Sequence, residues 1–207
     1  MEILAIRERV DLCKKFRENG GEVARTLVKK AHQFRYRHTP SNSQIIIPLT
    51  SSIRREYIPI GFIDKNIVIQ QSAQAIYDAD LYISSVLMSR MHMTWVRAVA
   101  GKLKLDYSYS VSICYNTFPF PNISQKQKET LTELVFSVLD EREYHSEKNL
   151  AQLYDPNKMP EGLRKAHHTL DMAIEQCYRT KLFQSDEERL EYLFKMYEEM
   201  TAQESKK

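Results

Sequence analysis

The chain has 207 residues, 43% hydrophobic and 28% charged, a globular composition with length for one large domain or two small ones. Five glycines exclude a collagenous chain, a glycine-rich linker and a glycine-punctuated solenoid. Thirty basic residues against 27 acidic ones leave a formal net charge of +3, which neither demands nor excludes a polyanionic partner, so the placement of the charges carries the information.

In chain order, Ile3, Ile6, Val10, Cys13 and Phe16 recur at three- and four-residue steps and predict a helix over 3–17, stopped by Asn19-Gly20-Gly21. Val23, Leu27 and Ala31 predict a second, short helix. Basic and aromatic residues then interleave in Phe34-Arg35-Tyr36-Arg37-His38, and residues 39–43 read as a loop. Ile45-Ile46-Ile47 before Pro48 predicts a buried strand. Residues 57–63 predict a second strand and residues 66–70 a third, with Asp64-Lys65-Asn66 as the hairpin turn between them. From Gln74 to Ala100 the pattern is helical, as two helices with Leu81, Ser85, Met88, His92, Trp95 and Val99 along one face. Alternation over 107–115 predicts one more strand, ending in Phe118-Pro119-Phe120-Pro121. Everything beyond is helical. Ser124 and Gln127 form a capping box ahead of Leu131, Leu134, Val135, Val138 and Leu139. Leu163, Ala166, Leu170, Ile174 and Cys177 stripe the next helix, and Ser185 with Glu188 opens the last. The fold expected is α+β: a small mixed or antiparallel sheet with packed helices over 1–121, then an all-helical domain over 122–207.

Catalytic signatures are missing. The sequence has no GxGxxG, no phosphate-cradling GxxxxGK[ST], no HExxH and no GxSxG. Cys13, Cys114 and Cys177 are widely spaced and read as reduced thiols, neither a disulfide framework nor a zinc ligand set. Neighbours on a helix diverge, so His167-His168 reads as one inward and one outward imidazole, and His92 as a core histidine. The N-terminus carries no signal peptide and no apolar run is long enough to span a bilayer, so the expectation is a soluble, cytoplasmic protein without metal, cofactor or activity of its own.

A DNA reader needs phosphate clamps and base-edge readers. The candidate clamps are Arg35, Arg37, Arg54, Arg55, Arg90, Arg97 and Lys102. The candidate readers lie in Lys104-Leu105-Asp106-Tyr107-Ser108. On a continuous strand, Lys104, Asp106 and Ser108 share one face, with Leu105 and Tyr107 turned to the core. A lysine donates to guanine O6 and N7 and an aspartate accepts from the cytosine amine, so one G·C pair offers both partners. The alternative is an exposed Lys–Asp pair on a strand.

Several separated motifs stand in register with a known family. They are residues 51–62 (SSIRREYIPIGF), 89–95 (SRMHMTW), 99–103 (VAGKL), Tyr109-Ser110, and 115–121 (YNTFPFP), followed by Leu153-Tyr154-Asp155-Pro156, Met159-Pro160 and 163–167 (LRKAH). In this order they resemble the C-terminal part of MmeI-like restriction–modification enzymes and DNA adenine methyltransferases, from about Phe34 onward. The resemblance implies a target-recognition domain followed by a helical domain. The S-adenosylmethionine site and the Asn-Pro-Pro-Tyr/Phe motif that holds a flipped adenine would lie in a methyltransferase domain of the same or a companion chain. It also implies double-stranded DNA as partner, base reading by Lys104, Asp106 and Ser108, and backbone contacts from Arg54, Arg55, Arg90, Arg97 and Lys102. Three positions depart from the family pattern: Ile53 in place of a glutamate, Lys102 in place of an arginine and Phe120 in place of a tryptophan. The rival readings are a complete small methyltransferase, opposed by the missing motifs, and a helical adaptor that binds a protein rather than DNA.

Overall fold

The computed structural model describes residues 3–35, 38–70 and 72–204, which fall into two units, Met1–Thr39 and Pro40–Lys207. The first unit holds α1 (Leu4–Glu18), α2 (Glu22–Arg25) and a 3-10 turn, Val28–Lys30. Gly20, just beyond the helix end, has no room for a side chain, because a Cβ there would lie 2.7 Å from that of Ala24. Arg17 ties the turns together, donating to the carbonyls of Leu27, Lys30 and Gln33. Ala31 is the one buried hydrophobic residue among the described residues of this unit, while Leu4 and Phe16 are 70% and 77% exposed. Fifteen helical residues without a buried side chain are marginal in water. Arg37, in the basic–aromatic run, lies outside the described residues.

The second unit begins with two antiparallel three-stranded sheets. One has β1 (Ser43–Pro48) at its centre, flanked by β3 (Gly61–Asp64) and β4 (Ala73–Tyr77); the other orders β2 (Thr50–Ser51), β6 (Asp106–Ser108) and β5 (Gly101–Leu103). The Ile45–Ile47 strand forms as its β-branched run predicts. Four expectations need correction. The expected strand over 57–63 is confined to its end, from Gly61. Residues 66–70 do not pair: Gln44 Nε2 donates to the carbonyls of Asp64 and Ile67 and holds the turn, leaving Ile67 and Val68 exposed. The third strand is instead Ala73–Tyr77, read as the start of a helix; its Ala and Gln favour helix, but pairing along β1 from Gln44 to Pro48 overrides that preference. The expected strand over 107–115 stops at Ser108, and Val111–Tyr115 closes a single π-helical turn through the Asn116 N–H to Val111 carbonyl bond of 2.8 Å.

Six helices follow or intervene: α3 (Leu81–Leu87), α4 (Arg90–Val99), α5 (Gln125–Glu143), α6 (Leu150–Leu153), α7 (Glu161–Tyr178) and α8 (Asp186–Glu204). The helical stripe from Leu81 to Val99 breaks at Ser89, whose Oγ caps α4 by accepting from His92 N–H. The capping box of Ser124 and Gln127 is present at α5. From Met91 to Val96 every residue of α4 is buried, the signature of a helix enclosed on all sides. Around it one apolar core runs from Ile45 through Trp95 and Leu131 to Leu193, so the strands that position the candidate readers and the C-terminal helices share a single interior.

Candidate nucleic-acid interface

The pairs Gly101↔Ser108, Lys102↔Tyr107 and Leu103↔Asp106 make β5 and β6 a two-stranded ribbon, and Lys104-Leu105 is its two-residue turn. Directly paired residues share a face. One face therefore carries Thr50, Ser108 and Gly101 in one row and Asp106 with Leu103 in the next. The other face carries Tyr107, packed on the core, with buried Ser51 beside it and Lys102 at the exposed edge. Asp106 and Ser108 thus share a face, as the strand period requires. Lys104 does not lie on that strand, as was expected, but at the ribbon's tip. Leu105, expected to face the core, is 75% exposed. The cause is the tight turn, which interrupts the alternation two residues early.

Lys104 has φ +57°, in the left-handed region that favours glycine. The conformation costs a residue with a Cβ roughly 1–2 kcal/mol, against ~0.5–1 kcal/mol of extra chain entropy lost by a glycine. Lys104→Gly should therefore leave the chain as stable or up to about 1 kcal/mol more stable in equilibrium urea unfolding. A clear loss of stability would show that the lysine side chain itself holds the turn.

The basic candidates divide by how far they are already engaged. Arg54 donates to Asn157 Oδ1 at 3.0 Å and Arg55 to the Tyr154 carbonyl at 3.3 Å. Arg90 Nε meets Asp186 Oδ1 at 2.7 Å, and Arg97 meets Asp186 Oδ2 at 3.0 Å and the Arg55 carbonyl at 3.3 Å. Arg90 and Arg97 thereby tie α4 to the start of α8. They border a cleft of about 470 Å³ together with Tyr57, Lys165 and the ion-paired Glu56 and Arg164. Arg35 is described in the first unit.

Behind this surface runs a buried polar row that the apolar stripe of α7 concealed: His167, Asp171 and Glu175, four residues apart on one face. His167 Nε2 lies 2.6 Å from the Tyr154 hydroxyl, which accepts from Arg142; Arg142 also donates to the Ile60 carbonyl. Tyr57 stacks on His167 and donates to Asp171 Oδ2 at 2.7 Å, while Asp171 Oδ1 accepts from the Arg90 N–H at 2.7 Å. Burial pushes the Asp171 carboxyl up to about 7, against the pull of those two donors, and pushes the His167 imidazole down to about 3. The row fixes residues 55–60, through which β2 is joined to β3. His168 faces outward, so the adjacent histidines diverge. Burial likewise holds His92 neutral, down to about 3, with Nε2 at 3.0 Å from the Tyr109 hydroxyl. Such an imidazole is a core group, poorly suited to act as a base. No metal-binding group of three or more ligands occurs among the described residues, and no described helix is long and apolar enough to cross a membrane.

The family model described as the MmeI target recognition domain matches residues 1–122, and that of the MmeI C-terminal domain matches residues 123–204. Over 197 residues the chain is 45% identical to DNA methyltransferase A of Bacillus subtilis (strain 168), covering 95% of this chain and 22% of that protein. Among solved structures, that of the Type IIL restriction-modification enzyme MmeI in complex with DNA superposes with a TM-score of 0.90 at 35% identity, covering 95% of this chain and 26% of the other. The chain spans a minor part of the length of either relative.

Proposed function

The chain belongs to the MmeI family, as its target recognition domain followed by its C-terminal domain, and we propose that it is the part of a DNA adenine methyltransferase or restriction–modification enzyme that reads the target duplex. The observation that carries the reading is the exposed β5–β6 ribbon with Lys104 at its tip and Asp106 and Ser108 on its open face. A two-stranded ribbon fits the major groove, where donor and acceptor patterns distinguish all four base pairs. Lys104 donates to guanine, Asp106 accepts from the cytosine amine of the same pair, and Ser108 bonds a neighbouring base edge. Arg54, Arg55, Arg90, Arg97 and Lys102 supply backbone contacts. Arg90 spends only Nε on Asp186, so its two terminal nitrogens are available to a phosphate. In this reading residues 1–121 hold the reading surface and residues 122–207 buttress it from behind.

The reaction belongs to the remainder of the parent protein, in the same or a companion chain, working with S-adenosylmethionine in the bacterial cytoplasm. The residues present here do not fit that cofactor. Gly20 and Gly21 lie between two helices, Gly61 and Gly101 begin strands, and Gly162 lies within α7; none sits in a turn leading from a strand into a helix, where a cofactor cradle forms. The exposed apolar residues of α1 suit a protein neighbour, and the methyltransferase part is the one this reading supplies.

The test is a duplex titration by fluorescence anisotropy at several salt concentrations. The isolated chain should bind at micromolar concentration or weaker, the range of non-specific binding, with log K falling by about 0.9 per log unit of salt for each phosphate neutralised. Absence of duplex binding even at low salt, together with a salt-insensitive complex with a protein, would favour the adaptor reading instead.

A further inference from the structure

The tip of the ribbon breaks two local rules at once. A two-residue hairpin turn is normally built of Gly, Asn or Asp, yet this one is Lys104-Leu105, with Lys104 in the left-handed region. The turn also presents a leucine that is 75% exposed, beside Leu103 at 59%. Neither departure helps the fold: Leu105 adds nothing to the buried core, and the backbone of Lys104 is unfavourable for any residue with a Cβ. Rules broken together at one exposed spot point to function.

Building on the reading of Lys104 and Asp106 above, we propose that Leu105 is a further specificity residue, making apolar contact with the C5-methyl of a thymine next to the G·C pair those two residues read. Leu105 lies between them in sequence, exposed beside Lys104 in the turn that joins β5 to β6, so a groove that receives Lys104 and Asp106 receives Leu105 as well. In the major groove an apolar side chain has one apolar partner among the base edges, the thymine methyl. A minor-groove wedge would serve a leucine too, but the donor and acceptor pattern there distinguishes little beyond A·T from G·C, so Lys104 and Asp106 could not read one orientation of the pair.

A full-length enzyme of the family carrying this segment first selects duplexes from a randomised library, and affinities for the selected duplex are then measured with each thymine replaced in turn by deoxyuridine, which lacks only the methyl. One replacement next to the selected G·C pair should weaken binding roughly fourfold, the worth of burying one methyl-sized group. Leu105→Ala should bind the thymine and deoxyuridine duplexes equally, and, since the side chain is exposed, should leave the thermal midpoint unchanged. A selected sequence without thymine beside the G·C pair, or an unchanged thymine-to-deoxyuridine ratio in Leu105→Ala, overturns the proposal alone. Selection of no sequence, or a G·C preference indifferent to Lys104 and Asp106, overturns the underlying reading as well.

Discussion

Exchanging Lys104→Glu together with Asp106→Arg is expected to invert one base pair of the recognised sequence, from G·C to C·G. The lysine is a donor aimed at guanine O6 and N7 and the aspartate an acceptor aimed at the cytosine amine; the exchange swaps donor and acceptor between two neighbouring points of one ribbon. Each good contact carries ~1–3 kcal/mol of discrimination, so the preference should move by one to several orders of magnitude. Either single change should lower affinity for every sequence, because it leaves two acceptors or two donors side by side, one of which meets an edge of like character in either orientation of the pair and loses its water for nothing. The hairpin should survive the exchange. Both residues are exposed, and a glutamate at position 104 meets the same backbone demand as the lysine. Tyr107, packed on the core from the opposite face, should not tolerate such a change. The measurement is the set of methylated sites made by a full-length enzyme of the family carrying this segment. An unchanged base pair would reduce Lys104 and Asp106 to surface charges.

Much of the fold is legible wherever one residue class dominates. The β-branched run at Ile45–Ile47 forms a strand, and the Ser124–Gln127 box opens α5 where the spacing places it. The pattern fails where a distant partner decides. Ala73–Tyr77 becomes a strand because β1 has an open edge, and nothing within those five residues says so. The Lys104-Leu105 turn escapes notice because it lacks Gly, Asn and Asp, so the alternation reads straight through it and puts Lys104 on a strand face and Leu105 in the core. Candidate readers were therefore legible as residue types, donor and acceptor two apart, but not as a tip and a face. The polar row of α7 was hidden for the opposite reason. Among Leu163, Leu170 and Ile174, a His, an Asp and a Glu at four-residue spacing look like interruptions of an apolar stripe, and only the structure pairs each with a buried partner. The spacing itself was the available signal: three titratable residues on the buried side of a helix must be satisfied by something.

That row supports the largest stability effect. Glu175 is 3% exposed, and Arg189, one turn into α8, is 7% exposed. Arg189 Nε and Nη2 meet Glu175 Oε1 at 2.7 and 2.5 Å, and Glu175 Oε2 accepts the Phe183 N–H at 2.9 Å. Replacing Glu175 with alanine leaves a guanidinium with only Asp186, at 3.1 Å, and the Phe183 carbonyl, at 3.4 Å, while the Phe183 N–H loses its acceptor. Breaking one side of a buried pair costs about 3–5 kcal/mol, a large part of the ~5–15 kcal/mol by which domains are stable. Glu175→Ala should therefore shift the urea midpoint far to lower concentration and loosen α8 first, since residues 183–189 are held through this carboxylate. Replacing both partners with apolar residues of similar size, Glu175→Leu with Arg189→Met, should recover most of the loss, because the cost lies in the orphaned charge and not in the absent attraction. If the double replacement is as unstable as the single one, the carboxylate acts chiefly as the acceptor that orders the Phe183 loop. Because Asp186 also receives Arg90 and Arg97 from α4, a helix α8 loosened by Glu175→Ala should free those two guanidiniums. The same variant, held folded below its transition, should then bind non-specific duplex at least as tightly as the parent, with a steeper dependence on salt.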